Sequence, residues 1–216
     1  MMTSFFSIDN IAITMLDYSM SWVELLATIF TLACVWLAMK KHILNWPVAI
    51  IAITLSFLVF FQSALYADSI LQIYFFITSI YGWWYWSRTY GVESDVPVTR
   101  LTRVERIYWV IGVFISTLMV SYIMIHLNSW LPKLFPAKTA FPISDSLVMV
   151  TSIAGQWLLA EKKLENWFCW IVVNSTAIVI YFQKELKLFS LLYVVLLVIA
   201  IMGVIAWSKN DQELRS

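Results

Sequence analysis

Seven runs of apolar residues follow one another along the chain, each ended by a short polar or charged connection. They cover Trp22 to Met39, Pro47 to Phe61, Ser69 to Trp86, Ile107 to Leu127, Ser146 to Ala160, Trp167 to Phe182 and Phe189 to Trp207. A helix that crosses a hydrocarbon layer needs about 17 to 25 residues. The three shorter runs are therefore expected to extend into their polar flanks or to meet a thinned bilayer. All seven are predicted as helices, because a lone strand leaves backbone groups unsatisfied in lipid and a barrel would alternate with period two.

The pattern repeats. Position n pairs without gaps with position n + 121 from Trp22 to Arg88, with 17 identities over 67 positions. Asn45-Trp46 meets Asn166-Trp167, Gly82 meets Gly203, and Trp86-Ser87 meets Trp207-Ser208. Such self-similarity marks duplicated architecture. With one unpaired helix between two triplets, parity starts both triplets on the same side of the membrane, so the repeats are parallel. The expected fold is an all-α membrane protein of seven transmembrane helices in a 3+1+3 arrangement. Its parts are an outer N-terminal segment (1–21), a first repeat (22–88), a linker with the fourth helix (89–142), a second repeat (143–209) and an inner tail (210–216).

Composition narrows the class. Of the 216 residues 62% are apolar and 12% charged, far from the balance of a water-soluble domain. The formal net charge of +1 gives no basic footprint for nucleic acid. With the N-terminus outside, the inner segments carry ten Lys and Arg and the outer ones four; the positive-inside rule then places the N-terminus out and the C-terminus in. The first twenty residues hold no Lys or Arg, so the N-terminus is expected to stay in the mature protein. Cys34 and Cys169 read as free thiols among helices. Twelve Trp, ten Tyr and fourteen Phe exceed what two interfacial belts need and leave rings for a flat ligand.

Polar groups inside spans are costly unless they pair or line a cavity. Gln72, Phe76, Ser79 and Trp83 share one face of the third helix, and Ser152 and Gln156 one face of the fifth. On the sixth, Trp167, Trp170 and Asn174 align, and Asn174 stands where the first repeat has the apolar Ile53. An amide gained in one copy of a duplicated scaffold points to adaptation for a ligand. The bland alternative is an interhelical hydrogen bond worth about 1 kcal/mol, which is preferred for isolated Ser or Thr. For Gln72, Trp170 and Asn174 the ligand reading is preferred, because large polar groups are expensive to bury without a partner. Gly82 and Gly203 read as sites of close helix contact. Glu24 and Asp145, paired by the repeat at outer helix ends, are either acids that draw a cation into the mouth or solvated N-terminal acids favoured by the helix dipole.

Several chemistries are missing. No P-loop occurs among five glycines, so the chain does not itself drive transport with ATP. No H-E-x-x-H or other metal-ligand spacing is present, nor a facing nucleophile and base, so neither a metal, a cofactor nor catalysis is expected. No ionisable residue falls at mid-membrane to carry a coupled proton. A passive carrier remains, with a non-transporting seven-helix receptor or assembly protein as the alternative.

Glu165-Asn166-Trp167-x-x-Trp170-x-x-x-Asn174, with Gln156 before it and Leu192-Tyr193 and Gly203-x-x-x-Trp207 after it, resembles the PnuC-type vitamin transporters. Leu65-Tyr66-Ala67, Leu71-Gln72 and Tyr81-Gly82-Trp83 resemble the same family's third-helix pattern. The resemblance spans about Trp22 to Lys209. It implies a bacterial inner-membrane carrier that takes up nicotinamide riboside, thiamine or a related vitamin by facilitated diffusion, with trapping by a cytosolic kinase. It also implies that Gln72, Trp170 and Asn174 hold substrate, and a homotrimer. Both vitamins carry a flat cationic ring that a Trp face attracts by about 0.5 to 2 kcal/mol. The balance leans to thiamine, since the candidate site looks richer in rings than in groups for ribose hydroxyls.

Overall fold

Each apolar run becomes one α-helix; the first keeps its bounds and the other six continue into their flanks, as a membrane crossing demands of a short run. The computed structural model describes residues 5–63, 65–89, 97–130 and 140–213. Among them the helices are α1 (Trp22–Met39), α2 (Asn45–Gln62), α3 (Tyr66–Thr89), α4 (Arg103–Trp130), α5 (Pro142–Ala160), α6 (Asn166–Gln183) and α7 (Lys187–Glu213). Five of the seven are long and apolar enough to cross a membrane on length and composition alone; α3 and α6 fall short. These two carry most of the candidate polar residues. α6 has Asn174 where its repeat partner α2, which meets the same criterion, has Ile53.

Helix contacts close a ring in the order α1, α2, α3, α5, α6, α7 and back to α1, with α4 outside it against α5. The triplets α1–α3 and α5–α7 thus meet at two seams, α3 with α5 and α7 with α1. A shift of 121 carries α2 onto α6 end for end and brings α1 and α3 onto α5 and α7 to within a few residues at their ends. α1 ends with Lys41 at φ 60° and α5 with Lys162 at φ 54°. The closing bonds, His42 N to Leu37 O and Lys163 N to Leu158 O, match at 2.9 and 2.8 Å. Both are the left-handed C-terminal stops that satisfy last-turn carbonyls.

One element went unforeseen. Ahead of α1, β1 (Ile11–Met15) and β2 (Tyr18–Ser21) pair as an antiparallel hairpin. Its two-residue loop places Leu16 and Asp17 at φ 50° and 63°, the left-handed pair of a type I′ turn. The Gln62 side chain at the end of α2 holds the preceding segment, accepting from Ile8 N at 3.2 Å and donating to Phe6 O at 2.9 Å. This hairpin end of the bundle is opposite the end where α1 meets α2 and α5 meets α6.

Candidate functional site

Four tryptophans shut that opposite end. Trp46 meets Trp86 edge to face at 5.2 Å and 87°, and their counterparts Trp167 and Trp207 meet at 5.5 Å and 88°. Trp86 and Trp207 approach to 6.4 Å, so the rings form one row across the bundle with the pseudo-twofold axis between the middle two. None is more than 1% exposed. Glycine makes the row possible: a Cβ at Gly82 would stand 2.4 Å from the Trp46 ring, and one at Gly203 2.4 Å from the Trp167 ring. The middle indoles tie the triplets together. Trp86 Nε1 donates to Ala160 O at 3.0 Å, and Trp207 Nε1 to the counterpart Met39 O at 3.2 Å.

This placement corrects one sequence expectation. Trp167, expected to hold substrate, is walled in by Gly203 and Trp207 and does the packing that Trp46 does in the first repeat. Trp170 does not share that fate. Its indole lies across α5 at Gly155, where a Cβ would come within 3.5 Å of the ring, and it is half-buried. The first-repeat counterparts of Gly155 and Trp170 are Cys34 and Ala49. The second repeat has therefore moved side-chain volume from one helix to the other and so gained a ring beside the polar middle of α5.

Gln156 follows Gly155, and its Nε2 donates to Ser79 Oγ on α3 at 3.2 Å. Two expected site residues are thus brought together across the seam between triplets. The seam continues on both sides: Tyr74 OH donates to Ile153 O at 3.0 Å, and Tyr81 stacks on Trp157 at 5.4 Å while donating to Glu161 Oε1 at 2.6 Å. Sequence reasoning missed these tyrosines, which lie on the flank of α3 opposite the chosen face. One turn beyond Trp170, Asn174 is 4% exposed, and its amide makes no hydrogen bond to a described residue. Ser152 is buried on the same α5 face as Gln156.

The other expected residues sit apart. Gln72 is half-buried two turns from Ser79, towards the hairpin end; its counterpart is Tyr193, stacked on Tyr181 at 5.2 Å. Phe76 is 38% exposed and lies at the outer edge of its face, away from the Ser79–Gln156 contact. Glu24 is occupied by a capping box: Oε2 accepts from Ser21 N at 2.7 Å, Ser21 Oγ accepts in return from Glu24 N at 3.3 Å, and Oε1 accepts from Tyr18 OH at 2.6 Å. Burial and the Glu24 carboxylate push the Tyr18 phenol above its ordinary value. Glu24 therefore fixes the start of α1 to the hairpin, which favours the helix-terminal reading over a part in drawing a cation into the mouth. Asp145, at the start of α5, is not so used. It couples electrostatically with Asp68 of α3 and Lys184 at the end of α6, which gathers charge at the hairpin end between the triplets.

Two like triplets that meet at two seams, with a row of buried indoles at one end, define a duplicated helical membrane protein. The family model described as Nicotinamide mononucleotide transporter matches residues 21–209. The chain is 32% identical to the nicotinamide riboside transporter PnuC of Escherichia coli (strain K12), over 97% of this chain and 96% of that one. It is 22% identical to the riboflavin/roseoflavin transporter RibM of Streptomyces davaonensis, over 97% and 92% of the two chains. The fold matches the crystal structure of the vitamin B3 transporter PnuC with a TM-score of 0.71 at 24% identity, covering 89% of this chain and 83% of that one. The chain belongs to this family: it is a multi-pass membrane transporter of the PnuC type and not an enzyme.

Proposed function

We propose that the chain carries nicotinamide riboside by facilitated diffusion, with the hairpin end outside and alternating access between the two triplets. The observation that carries this reading is Asn174, a residue 4% exposed whose amide has no hydrogen bond to a described residue, one turn from the Trp170 ring. A nicotinamide ring offers a carboxamide to the amide and a cationic face to the indole. Ser79, Gln156 and Ser152 supply hydroxyl and amide groups for a ribose, which weighs against thiamine, and the similarity to a nicotinamide riboside transporter supports the same choice. A phosphorylated form is disfavoured, because no Lys or Arg occurs between Tyr66 and Ser87 of α3, in α5 or α6, or between Leu188 and Ser208 of α7.

In this reading the indole row is the closed inner gate, and Asp68 and Asp145 attract the cation to the outer mouth. A cytosolic kinase traps the nucleoside by phosphorylation, without a stable complex. The homotrimer the resemblance implies would bury part of the apolar outer surface of α4, where Tyr108 and Val110 are 71% and 69% exposed.

The test is uptake of labelled nicotinamide riboside into liposomes holding the purified chain, without ATP, sodium or a proton gradient, against competing thiamine, riboflavin and nicotinamide mononucleotide. Saturable equilibration blocked first by the unlabelled nucleoside supports the proposal. Preferential competition by thiamine refutes the substrate, accumulation above the outside concentration refutes passive transport, and binding without flux makes the chain a receptor.

A further inference from the structure

The first residue of the Glu165-Asn166-Trp167 motif touches neither the indole row nor the amides, and the first repeat has Leu44 in its place, 52% exposed. Glu165 faces the connection between α3 and α4 instead. Its Oε2 accepts from Leu101 N at 3.1 Å and its Oε1 from Arg106 Nε at 2.9 Å. Beside it Thr99 pairs in parallel with Lys163, donating to Lys162 O at 3.2 Å and accepting from Leu164 N at 2.9 Å. Val98 and Leu101 are 2% and 6% exposed, so the segment that leads from the first triplet is embedded in the second.

We propose that Glu165 is a positioning residue that locks the α3–α4 connection and α4 to the second triplet, so that α4 to α7 move as one body against α1 to α3. The inference rests on the alternating-access reading above. Three observations carry it. α4 packs on α5; the connection bonds to the α5–α6 turn through main-chain groups that a transport cycle would have to break one by one; and only the second repeat holds a carboxylate at this position. The Arg106 side chain is 46% exposed and Glu165 13%; an ion pair to so exposed a partner contributes little, so the weight falls on the bond to the Leu101 main chain, an acceptor that Gln also supplies.

The experiment uses the full chain with Cys34→Ala and Cys169→Ala. In one protein Thr99→Cys and Lys163→Cys are joined as a disulfide; in another Tyr81→Cys and Glu161→Cys, across the α3–α5 seam, are joined by a short bifunctional thiol reagent. Rigid-body motion at the seam predicts that the first bridge leaves nicotinamide riboside uptake within about twofold of the reduced protein, while the second lowers it at least about tenfold until reductant is added. Uptake stopped reversibly by the Thr99–Lys163 bridge overturns the proposal. Hydrogen exchange, which reads local opening directly, separates this from the substrate question: Glu165→Leu is expected to speed exchange at Leu101 by about tenfold or more and Glu165→Gln by less than about threefold. Equal protection of Leu101 in wild type and Glu165→Leu overturns the latch even in a protein that moves another solute, whereas absence of nicotinamide riboside flux with the Leu101 effect intact refutes only the substrate.

Discussion

Replacing Asn174 by Leu removes the amide and keeps most of the volume. In the free protein Asn174 is 4% exposed and makes no hydrogen bond to a described residue, and a largely buried polar group without a partner costs up to about 1–3 kcal/mol. Asn174→Leu should therefore stabilise the unliganded transporter by up to that amount. With substrate bound the sign reverses, because the ligand's carboxamide or hydroxyls lose the partner that offset their own desolvation. The affinity loss should again be about 1–3 kcal/mol, roughly 5- to 150-fold in Kd. Thermal unfolding in detergent reads the first quantity and calorimetric titration with nicotinamide riboside the second. A residue that only holds helices together would lose stability and leave Kd unchanged in whatever protein folds. That result would refute the reasoning, whereas opposite signs on the two axes are the mark of a group kept at the expense of stability for function.

Other expectations follow from the same geometry. Gly82→Ala and Gly203→Ala each drive a methyl into an indole ring and should cost about 1–3 kcal/mol of stability; tolerance at either site in thermal unfolding would mean the indole row is looser than described. Trp170→Ala should weaken nicotinamide riboside binding by about 1–3 kcal/mol, or roughly 5- to 150-fold, while Trp84→Ala, half exposed beneath the Arg88 guanidinium at 4.3 Å, should leave titrated affinity unchanged; equal losses would place the site on another face. Ser21→Ala removes the α1 cap and should cost about 1 kcal/mol without changing Kd, so a binding defect at constant stability would return Glu24 to the mouth. A cysteine at Ser216 should resist an impermeant reagent in intact cells, as a cytoplasmic C-terminus requires.

The helices and their pairing were legible in the sequence because lipid leaves the backbone little choice. Apolar length located the helices, and the n + 121 register paired the indole row, its two glycines and the α1 and α5 ends with their counterparts. Less was legible where two uses of a residue look alike on a helical wheel. Trp167 and Trp170 sit one turn apart on the same face, yet one is buried against Gly203 and the other lies over Gly155; helix-to-helix distance decides this, and periodicity does not report it. The change of Cys34 to Gly155 together with Ala49 to Trp170 was visible in the repeat and is the signal that separates the two. The hairpin escaped notice because its turn is Leu16-Asp17 and not the Asn-Gly that marks such loops. Glu24 and Glu165 were ambiguous because their partners, Ser21 and the Leu101 main chain, become neighbours only through the cap and the long-range fold.

The comparison between repeats also separates sealing from binding. Trp46, Gly82, Trp86 and Asn45 recur as Trp167, Gly203, Trp207 and Asn166, and these residues close one end and fasten the seams or turns. Trp170, Asn174, Gln156 and Ser79 have Ala49, Ile53, Val35 and Ala200 as counterparts, so the mirror position across the pseudo-axis is apolar. Both seams carry the same indole-to-carbonyl tie, Trp86 to Ala160 O and Trp207 to Met39 O, so the scaffold is symmetric at that end. The ligand site need not obey that symmetry. Had both copies kept the amide and the ring, the chain would carry two unpaired polar sites at twice the desolvation cost. Confining them to one of the two seams avoids that cost: Ser79 of the first triplet meets Gln156 of the second there, while Ala200 and Val35 hold the matching positions at the other seam.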